Sequence, residues 1–208
     1  MRYGYIAIEG NIGAGKTSLA TRFADEYGGK LVLEEFADNP FLPKFYESPE
    51  RYAFPLELSF VSERFSQLKN ELNSRDLFNS FVIADYFISK SMIFSKANLS
   101  DDEYRLFMNM FRLIESNLPK PDLLVYLHQD VDQLQKNIRK RGRPYEQKIQ
   151  DAYLEKIQKS YFQFLNRQKK MRIVIVDVSD MDFVVNDHDY DRLKEIVNGS
   201  WPLGVSRV

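Results

Sequence analysis

The sequence predicts an α/β fold in which a parallel sheet is flanked by helices, and two observations lead there. Four short apolar runs are continuous rather than alternating, as strands are when helices cover both faces of their sheet. Between them lie longer stretches in which apolar residues recur at helical spacing. Strands and helices by turns are the pattern of a layered α/β architecture with a parallel sheet.

Taken in order, Tyr5 to Glu9 (YIAIE) is the first strand, followed by a glycine-rich loop and the helix SLATRFADEYG, which stops at Gly28-Gly29. Leu31 to Leu33 (LVL) is short but similarly placed. The periodic stretch Tyr52 to Leu72 reads as a long helix, and Phe81 to Ala84 (FVIA) as the next strand. Asp102 to Leu118 is an amphipathic helix that Lys120-Pro121-Asp122 ends before the strand Leu123 to Leu127 (LLVYL). Arg141-Gly142-Arg143-Pro144 separates two further helical stretches, the second running from Tyr145 to Lys169, and Ile173 to Val176 (IVIV) is the fifth strand. The expectation is therefore a five-stranded parallel core. Residues 199–208, GSWPLGVSRV, read as a tail that Trp201 would dock. There is no repeat, linker or low-complexity segment, so residues 1–208 are taken as a single domain.

Composition narrows the function classes. The 29 basic residues are matched by 30 acidic ones, whereas a dedicated nucleic-acid binder carries a basic excess. There are no cysteines, which excludes disulfides, thiolate metal sites and a Cys nucleophile. The N-terminus MRYGYIAIEG runs straight into the first strand without a signal segment, and no apolar run approaches the ~20 residues that span a bilayer. The expectation is a cytoplasmic protein with neither a nucleic-acid nor a membrane partner.

The loop Gly10-Asn11-Ile12-Gly13-Ala14-Gly15-Lys16-Thr17 matches G-x-x-x-x-G-K-[ST] in full, after a buried strand and before a helix. Glycines let successive backbone N–H groups converge on one anion, and the helix N-terminus adds partial positive charge. Lys16 would reach the β- and γ-phosphates of ATP, Thr17 would place its hydroxyl on Mg²⁺, and Ser18 is counted with the loop as an ATP-binding residue. The guanine-reading N-K-x-D pattern is absent, as is an apolar strand closing on Asp-Glu, so a small-molecule kinase is favoured over a GTPase or ATPase. Asp85, ending FVIAD, is the candidate for the second carboxylate on the metal side.

Two further clusters bear on chemistry. Glu34 and Glu35 follow LVL and should lie at the carboxyl edge of the sheet, where a carboxylate could orient a hydroxyl and take its proton. Lys136, Arg139, Lys140, Arg141 and Arg143 crowd the segment 136–143. A nucleic-acid patch is the weakest reading of that cluster, given the neutral total charge and the lack of interleaved aromatics. A solvated helix end is the bland one. A lid over residues 136–148, breaking at Gly142 and Pro144, would bring guanidinium groups to a transferring phosphoryl.

At this point the chain resembles the deoxynucleoside kinases, the group containing deoxyguanosine, deoxyadenosine and deoxycytidine kinases. Seven ordered blocks carry the resemblance over nearly the whole length: IAIEGNIGAGKTSLA, EEFADNPFLPKFY, FPLELSFVSERFSQL, IADYFISKSMIF, LPKPDLLVYL, KRGRPYEQKI and VDVSDMDF. The second block and the KRGRP lid resemble the bacterial purine-type branch most closely. The resemblance implies a P-loop kinase fold with an Arg-rich lid, ATP with Mg²⁺, a deoxynucleoside acceptor and a homodimer. It implies that Glu34, rather than Glu35, is the base near the 5′-hydroxyl, and that Tyr46 and Glu146 contact the sugar 3′-hydroxyl. It also implies that Arg64 lies near the base pocket, that Arg141 and Arg143 are lid arginines with Arg139 beside them, and that Asp180, Asp182 and Phe183 belong to the loop around the ATP adenine. Phe94 is a candidate for stacking on the base.

Two departures from the family pattern matter. Many relatives carry Asp/Glu-Arg-Ser after the third strand, whereas this chain has Asp85-Tyr86-Phe87, which leaves one phosphate or acid contact unassigned. Glu57 stands where many members read the base with Gln. An ionised Glu can only accept hydrogen bonds, which suits the adjacent N1–H and N2–H₂ donors of guanine and opposes the N1 acceptor of adenine. The expectation is ATP-dependent phosphorylation of a purine deoxynucleoside, deoxyguanosine before deoxyadenosine. The ranked alternatives are a broad-specificity or pyrimidine deoxynucleoside kinase, a nucleoside monophosphate kinase, and a non-catalytic nucleotide-binding scaffold.

Overall fold

The computed structural model describes residues 1–35, 39–73 and 80–208. Phe36 to Asp38, within the EEFADNP block, lie outside the described residues. In chain order the elements are β1 (Tyr5–Gly10), α1 (Lys16–Tyr27), β2 (Lys30–Val32), α2 (Leu42–Glu47), α3 (Pro49–Asn73), β3 (Val82–Ala84), α4 (Ser89–Asn98) and α5 (Asp101–Glu115). They continue with β4 (Leu123–His128), α6 (Val131–Arg141), a 3-10 turn (Pro144–Glu146), α7 (Asp151–Leu165), β5 (Arg172–Asp177), α8 (Asp187–Asn198) and β6 (Gly204–Arg207).

All strands pair in parallel in the order β2-β3-β1-β4-β5-β6. The continuous apolar runs are explained by cover on both faces, because successive side chains of a strand point to opposite sides. Ile6, Ile8, Val125, Leu127, Val174 and Val176 join a cluster with Leu19 and Phe23 of α1, Leu134 of α6 and Leu193 of α8. The alternate residues Ala7, Leu124, Tyr126, Ile173 and Ile175 join Ile93 of α4 and Ile157, Tyr161 and Leu165 of α7. A third cluster unites Val32 and Ala84 with Val61 and Leu68 of α3 and Phe107 and Phe111 of α5. Each fully buried aliphatic side chain contributes roughly 2 kcal/mol, so the strands are held in register by both layers at once.

Six strands replace the expected five. The sixth, β6, pairs with β5 from Arg172↔Gly204 to Ile175↔Arg207, inside the segment expected to be a tail. GVSR has no continuous apolar run because it is an edge strand with partly exposed side chains, and such strands carry a weak pattern. Trp201 does dock, donating its indole N–H to the Ile196 carbonyl at 2.7 Å. The stretch read as one helix from Tyr145 to Lys169 is instead the 3-10 turn followed by α7.

Three local features position the site. First, β1 sits where the strand order reverses, with β3 on one side and β4 on the other, and ligands of open α/β sheets bind at the carboxyl ends there. Second, Gly15 adopts φ 83° so that α1 starts directly at Lys16, and a Cβ on it would lie 2.6 Å from Cζ of Phe183. Third, a reciprocal Ser100–Glu103 capping box opens α5 immediately after α4 and anchors the end of α4 that carries Asn98.

Candidate active site

The loop after β1 is a cradle tied down by side chains from two other elements. Asn11 donates to the Leu154 carbonyl of α7 at 2.8 Å, and Asn137 of α6 donates to the Gly13 carbonyl at 2.9 Å. Lys16 folds back on the loop, its Nζ donating to the carbonyls of Gly10 at 3.0 Å and Asn11 at 2.8 Å. Burial lowers the Lys16 ammonium and the nearby Lys90 lowers it further, to about 8. Glu9, just before the loop, is wholly buried; burial raises its carboxyl, and it accepts from Tyr161 Oη at 2.7 Å and the Phe87 N–H at 3.2 Å. Ile12 and Ala14 complete the loop, and Thr17 and Ser18 are exposed at the first turn of α1.

Asp85 joins the two halves of the cleft. Its Oδ2 accepts from Thr17 Oγ1 at 2.5 Å and its Oδ1 from the Glu34 N–H at 2.8 Å. A hydroxyl and a carboxylate side by side are hard oxygen donors that suit Mg²⁺, an ion that takes one or two protein oxygens and completes its shell with water and substrate phosphates. Among the described residues no group of three or more His, Asp or Glu could hold a metal by itself. The donor set therefore fits a phosphate-borne Mg²⁺.

On the other side of Asp85, Glu34 points into the cleft between two cations. Its Oε1 accepts from Arg64 Nε and lies within 2.7 Å of Arg64 Nη2, and its Oε2 accepts from Lys90 Nζ at 2.5 Å. Burial would raise this carboxyl, but Lys90 and Arg64 outweigh it and hold it at about 2. Glu35 is exposed and accepts a long 3.4 Å bond from Gln67. Glu57, one helical stretch before Arg64 on α3, is buried; its Oε1 accepts from Asn98 Nδ2 at 2.7 Å. Its Oε2 is buried with no hydrogen-bond partner among the described residues, a costly arrangement in an apolar setting. Burial pushes the Glu57 carboxyl up to about 7, against the opposing pull of Arg64 and the Asn98 bond.

Part of the segment expected to be a lid borders this space. Gly142, with φ 73°, ends α6, and Arg141 Nη2 and Arg143 Nη1 reach the two oxygens of buried Glu146 at 2.5 and 3.2 Å. Tyr46 lies against the same corner, stacked on Tyr145 with ring centroids 6.2 Å apart. Lys16, Thr17, Glu34, Tyr46, Glu57, Arg64, Asp85, Phe94, Arg141, Arg143 and Glu146 thus line one cleft. Arg139 is exposed on α6 outside that lining. In the loop after β5, Asp180 and Asp182 are exposed, while Phe183 is buried against Gly15 and its carbonyl accepts from Arg22 at 3.0 Å.

Three lining residues with polar groups escaped the sequence reading, Lys90, Asn98 and Tyr153, as did the apolar Leu42, Phe45, Leu56 and Phe60. The first two had a detectable pattern. Lys90, Phe94 and Asn98 recur every four residues, which puts all three on one face of α4.

Comparison with known proteins finds relatives over most of the chain. A family model described as deoxynucleoside kinase matches residues 6–200. A deoxyguanosine kinase of Bacillus subtilis (strain 168) is 36% identical over 193 residues, covering 91% of this chain and 93% of the relative. A deoxyguanosine kinase of Lactobacillus acidophilus is 33% identical over 224 residues, covering 95% of this chain and 93% of the relative. Among solved structures, deoxyadenosine kinase from M. mycoides with bound dATP superposes with a TM-score of 0.80 at 23% identity, covering 94% of this chain and all of the other, a likeness of fold.

Proposed function

The chain belongs to the deoxynucleoside kinase family, and from that premise we propose that it transfers the γ-phosphoryl group of ATP to the 5′-hydroxyl of a purine 2′-deoxynucleoside, deoxyguanosine before deoxyadenosine. The product is the 5′-monophosphate, so the reaction serves nucleotide salvage. The observation that carries the reading is one cleft holding a phosphate cradle, a carboxylate at its centre and a second, unsatisfied carboxylate at its far end. Backbone N–H groups of residues 10–17 and Lys16 hold the donor phosphates, with Ser18 at the loop's exit. Mg²⁺, held by Thr17 and Asp85 together with those phosphates, would neutralise charge on the bridging oxygens. Glu34 orients the acceptor hydroxyl and takes its proton, Tyr46 and Glu146 hold the sugar, and Arg141 and Arg143 supply cations to the transferred group. Arg139, Asp180, Asp182 and Phe183 are assigned to the outer donor site on resemblance alone. A kinase assay against a panel of deoxynucleosides tests the whole reading: strong preference for deoxycytidine or thymidine would sink the purine assignment.

Glu57 supports the purine choice and sets its pH dependence. Ionised, its Oε2 accepts from guanine; protonated, it donates as well, as a Gln would, and can serve adenine. The charges bearing on it come from Arg64, Glu34 and Lys90, with Asn98 as its direct partner and Tyr153 close enough to feel its charge. Because the raised group is protonated below about 7 and ionised above, the deoxyguanosine-to-deoxyadenosine ratio of kcat/KM should rise as pH climbs through that value. In Glu57→Gln the ratio should fall by about tenfold or more and lose its pH dependence, since one well-placed hydrogen bond in a closed site is worth that much. An unaltered ratio in that variant removes Glu57 as base reader.

The rivals fare less well on the same residues. A monophosphate kinase needs cations at the acceptor end to hold a phosphate already present, but Arg64 and Lys90 are both engaged by Glu34. A non-catalytic scaffold has no need of Lys16, Thr17, Glu34 and the lid arginines together, and absence of turnover with every nucleoside would favour it.

We also propose a cytoplasmic homodimer. No helix among the described residues is long and apolar enough to cross a membrane. On α5, Leu106, Met110 and Leu113 are exposed by 54%, 36% and 72% at helical spacing, opposite buried Phe107 and Phe111. A second copy would cover that face. Light scattering should give a dimer for the protein and a monomer for Leu113→Glu; a monomeric wild type rejects the proposal.

A further inference from the structure

Glu34, assigned above as base, is occupied on both oxygens. Its Oε1 takes Arg64 twice, through Nε and Nη2 at 2.7 Å. Arg64 is itself fixed: Nη1 donates to Ser91 Oγ at 2.7 Å, the guanidinium lies 4.7 Å from the Phe60 ring centroid, and the side chain is 4% exposed. A base must offer an oxygen within hydrogen-bond reach of the proton it removes. Oε2 is therefore the oxygen left for that task, and it is the one on which Lys90 sits.

Lys90 has somewhere else to go. Its side chain is 8% exposed, lines the same cleft as Lys16 and Thr17, and stands near enough to Lys16 to depress that ammonium. Lys16 and Lys90 share this cleft with the carboxylates of Glu9, Glu34 and Asp85, and a further anion placed between the two ammonium groups would attract both. The donor's γ-phosphate is such an anion.

We propose that Lys90 is shared between Glu34 and the transferring phosphoryl group: it orients the carboxylate before the donor binds, then moves onto the γ-phosphoryl oxygens and releases Oε2 for the hydroxyl proton. This rests on the reading of Glu34 as base. As the bond from the 5′-oxygen to the γ-phosphorus forms, the bond from that phosphorus to the β–γ bridging oxygen breaks. The hydroxyl proton passes to Glu34 Oε2, the bridging electron pair leaves with ADP, and Lys90 keeps its proton throughout. The cation that the missing arginine after Asp85 left unassigned thus comes from α4, five residues further along.

The test compares wild type, Lys90→Met, Lys90→Gln and Lys90→Arg in turnover of deoxyguanosine and in binding of ADP and of a non-hydrolysable imido analogue of ATP. Loss of Lys90's charge should lower kcat by about 10²-fold or more, the scale of removing one preorganised group from a transfer site. The nucleoside KM should stay within about threefold, as expected when an interaction made in the transition state is lost. The charge-free variants should also lose most of the preference for the analogue over ADP, and Lys90→Arg should recover part of both effects. A purely structural residue would weaken both nucleotides alike; that result, or near-normal turnover without Lys90, overturns the proposal. Near-normal turnover of Glu34→Gln would instead remove the base reading itself, whereas an inactive Glu34→Gln beside unaffected Lys90 variants would remove only the part assigned to Lys90.

Discussion

Glu34→Gln should lower kcat by about 10²- to 10⁴-fold while ATP binding is largely retained. The amide keeps the shape of the side chain but cannot take the acceptor proton at neutral pH. It also fails as a counter-ion. Oε1 faces Arg64 and Oε2 faces Lys90, so whichever way the amide turns, its NH₂ meets a cation. Removing one partner from such a buried cluster costs about 3 kcal/mol or more, so thermal unfolding should accompany the kinetics. Steady-state turnover of deoxyguanosine with a parallel titration of an ATP analogue separates chemistry from binding. Turnover close to that of the wild type would reject Glu34 as the base.

The second large effect is expected from the lid. Arg141 and Arg143 both rest on the carboxylate of Glu146, about one-third exposed, one on each oxygen. Their charges are held at the mouth of the cleft by a group that the sugar could claim on binding. If they then serve the transferred phosphoryl, Arg141→Met with Arg143→Met should lower kcat by about 10³-fold, the lower range for arginines that stabilise phosphoryl transfer. Single substitutions should be less than additive, because the two share one carboxylate. Double-variant turnover within about tenfold of the wild type would return KRGR to the bland reading, a solvated helix end.

The sequence made some of this legible and hid the rest for identifiable reasons. The four interior strands were visible because each is covered on both sides and so carries an unbroken apolar run, and the edge strand β2 was visible only as the short LVL. β6 was not, since Gly204-Val205-Ser206-Arg207 at the sheet's edge carries no such run. Of the cleft, the glycine loop and Thr17 could be read directly, because their geometry is written in consecutive residues. Glu34 and Glu35 could not be told apart from their positions after LVL; the cations that distinguish Glu34 arrive from α3 and α4, 30 and 56 residues away in the chain. Lys90 was hidden by its identity, as a lysine flanked by serines reads as solvated when in fact Ser89, Lys90, Ser91 and Ser95 are all buried.

The spacing on α4 has one more consequence. Lys90 and Asn98 are eight residues apart on a rod that rises 1.5 Å per residue, a span of about 12 Å. One end meets the carboxylate beside the phosphate loop and the other meets Glu57. The helix is thereby a gauge for the acceptor, graduated in turns, with Phe94 at its midpoint. Its two ends can be re-tooled separately: exchanging the pair at the Asn98 end would offer a route to new nucleobases that leaves the transfer end uncut.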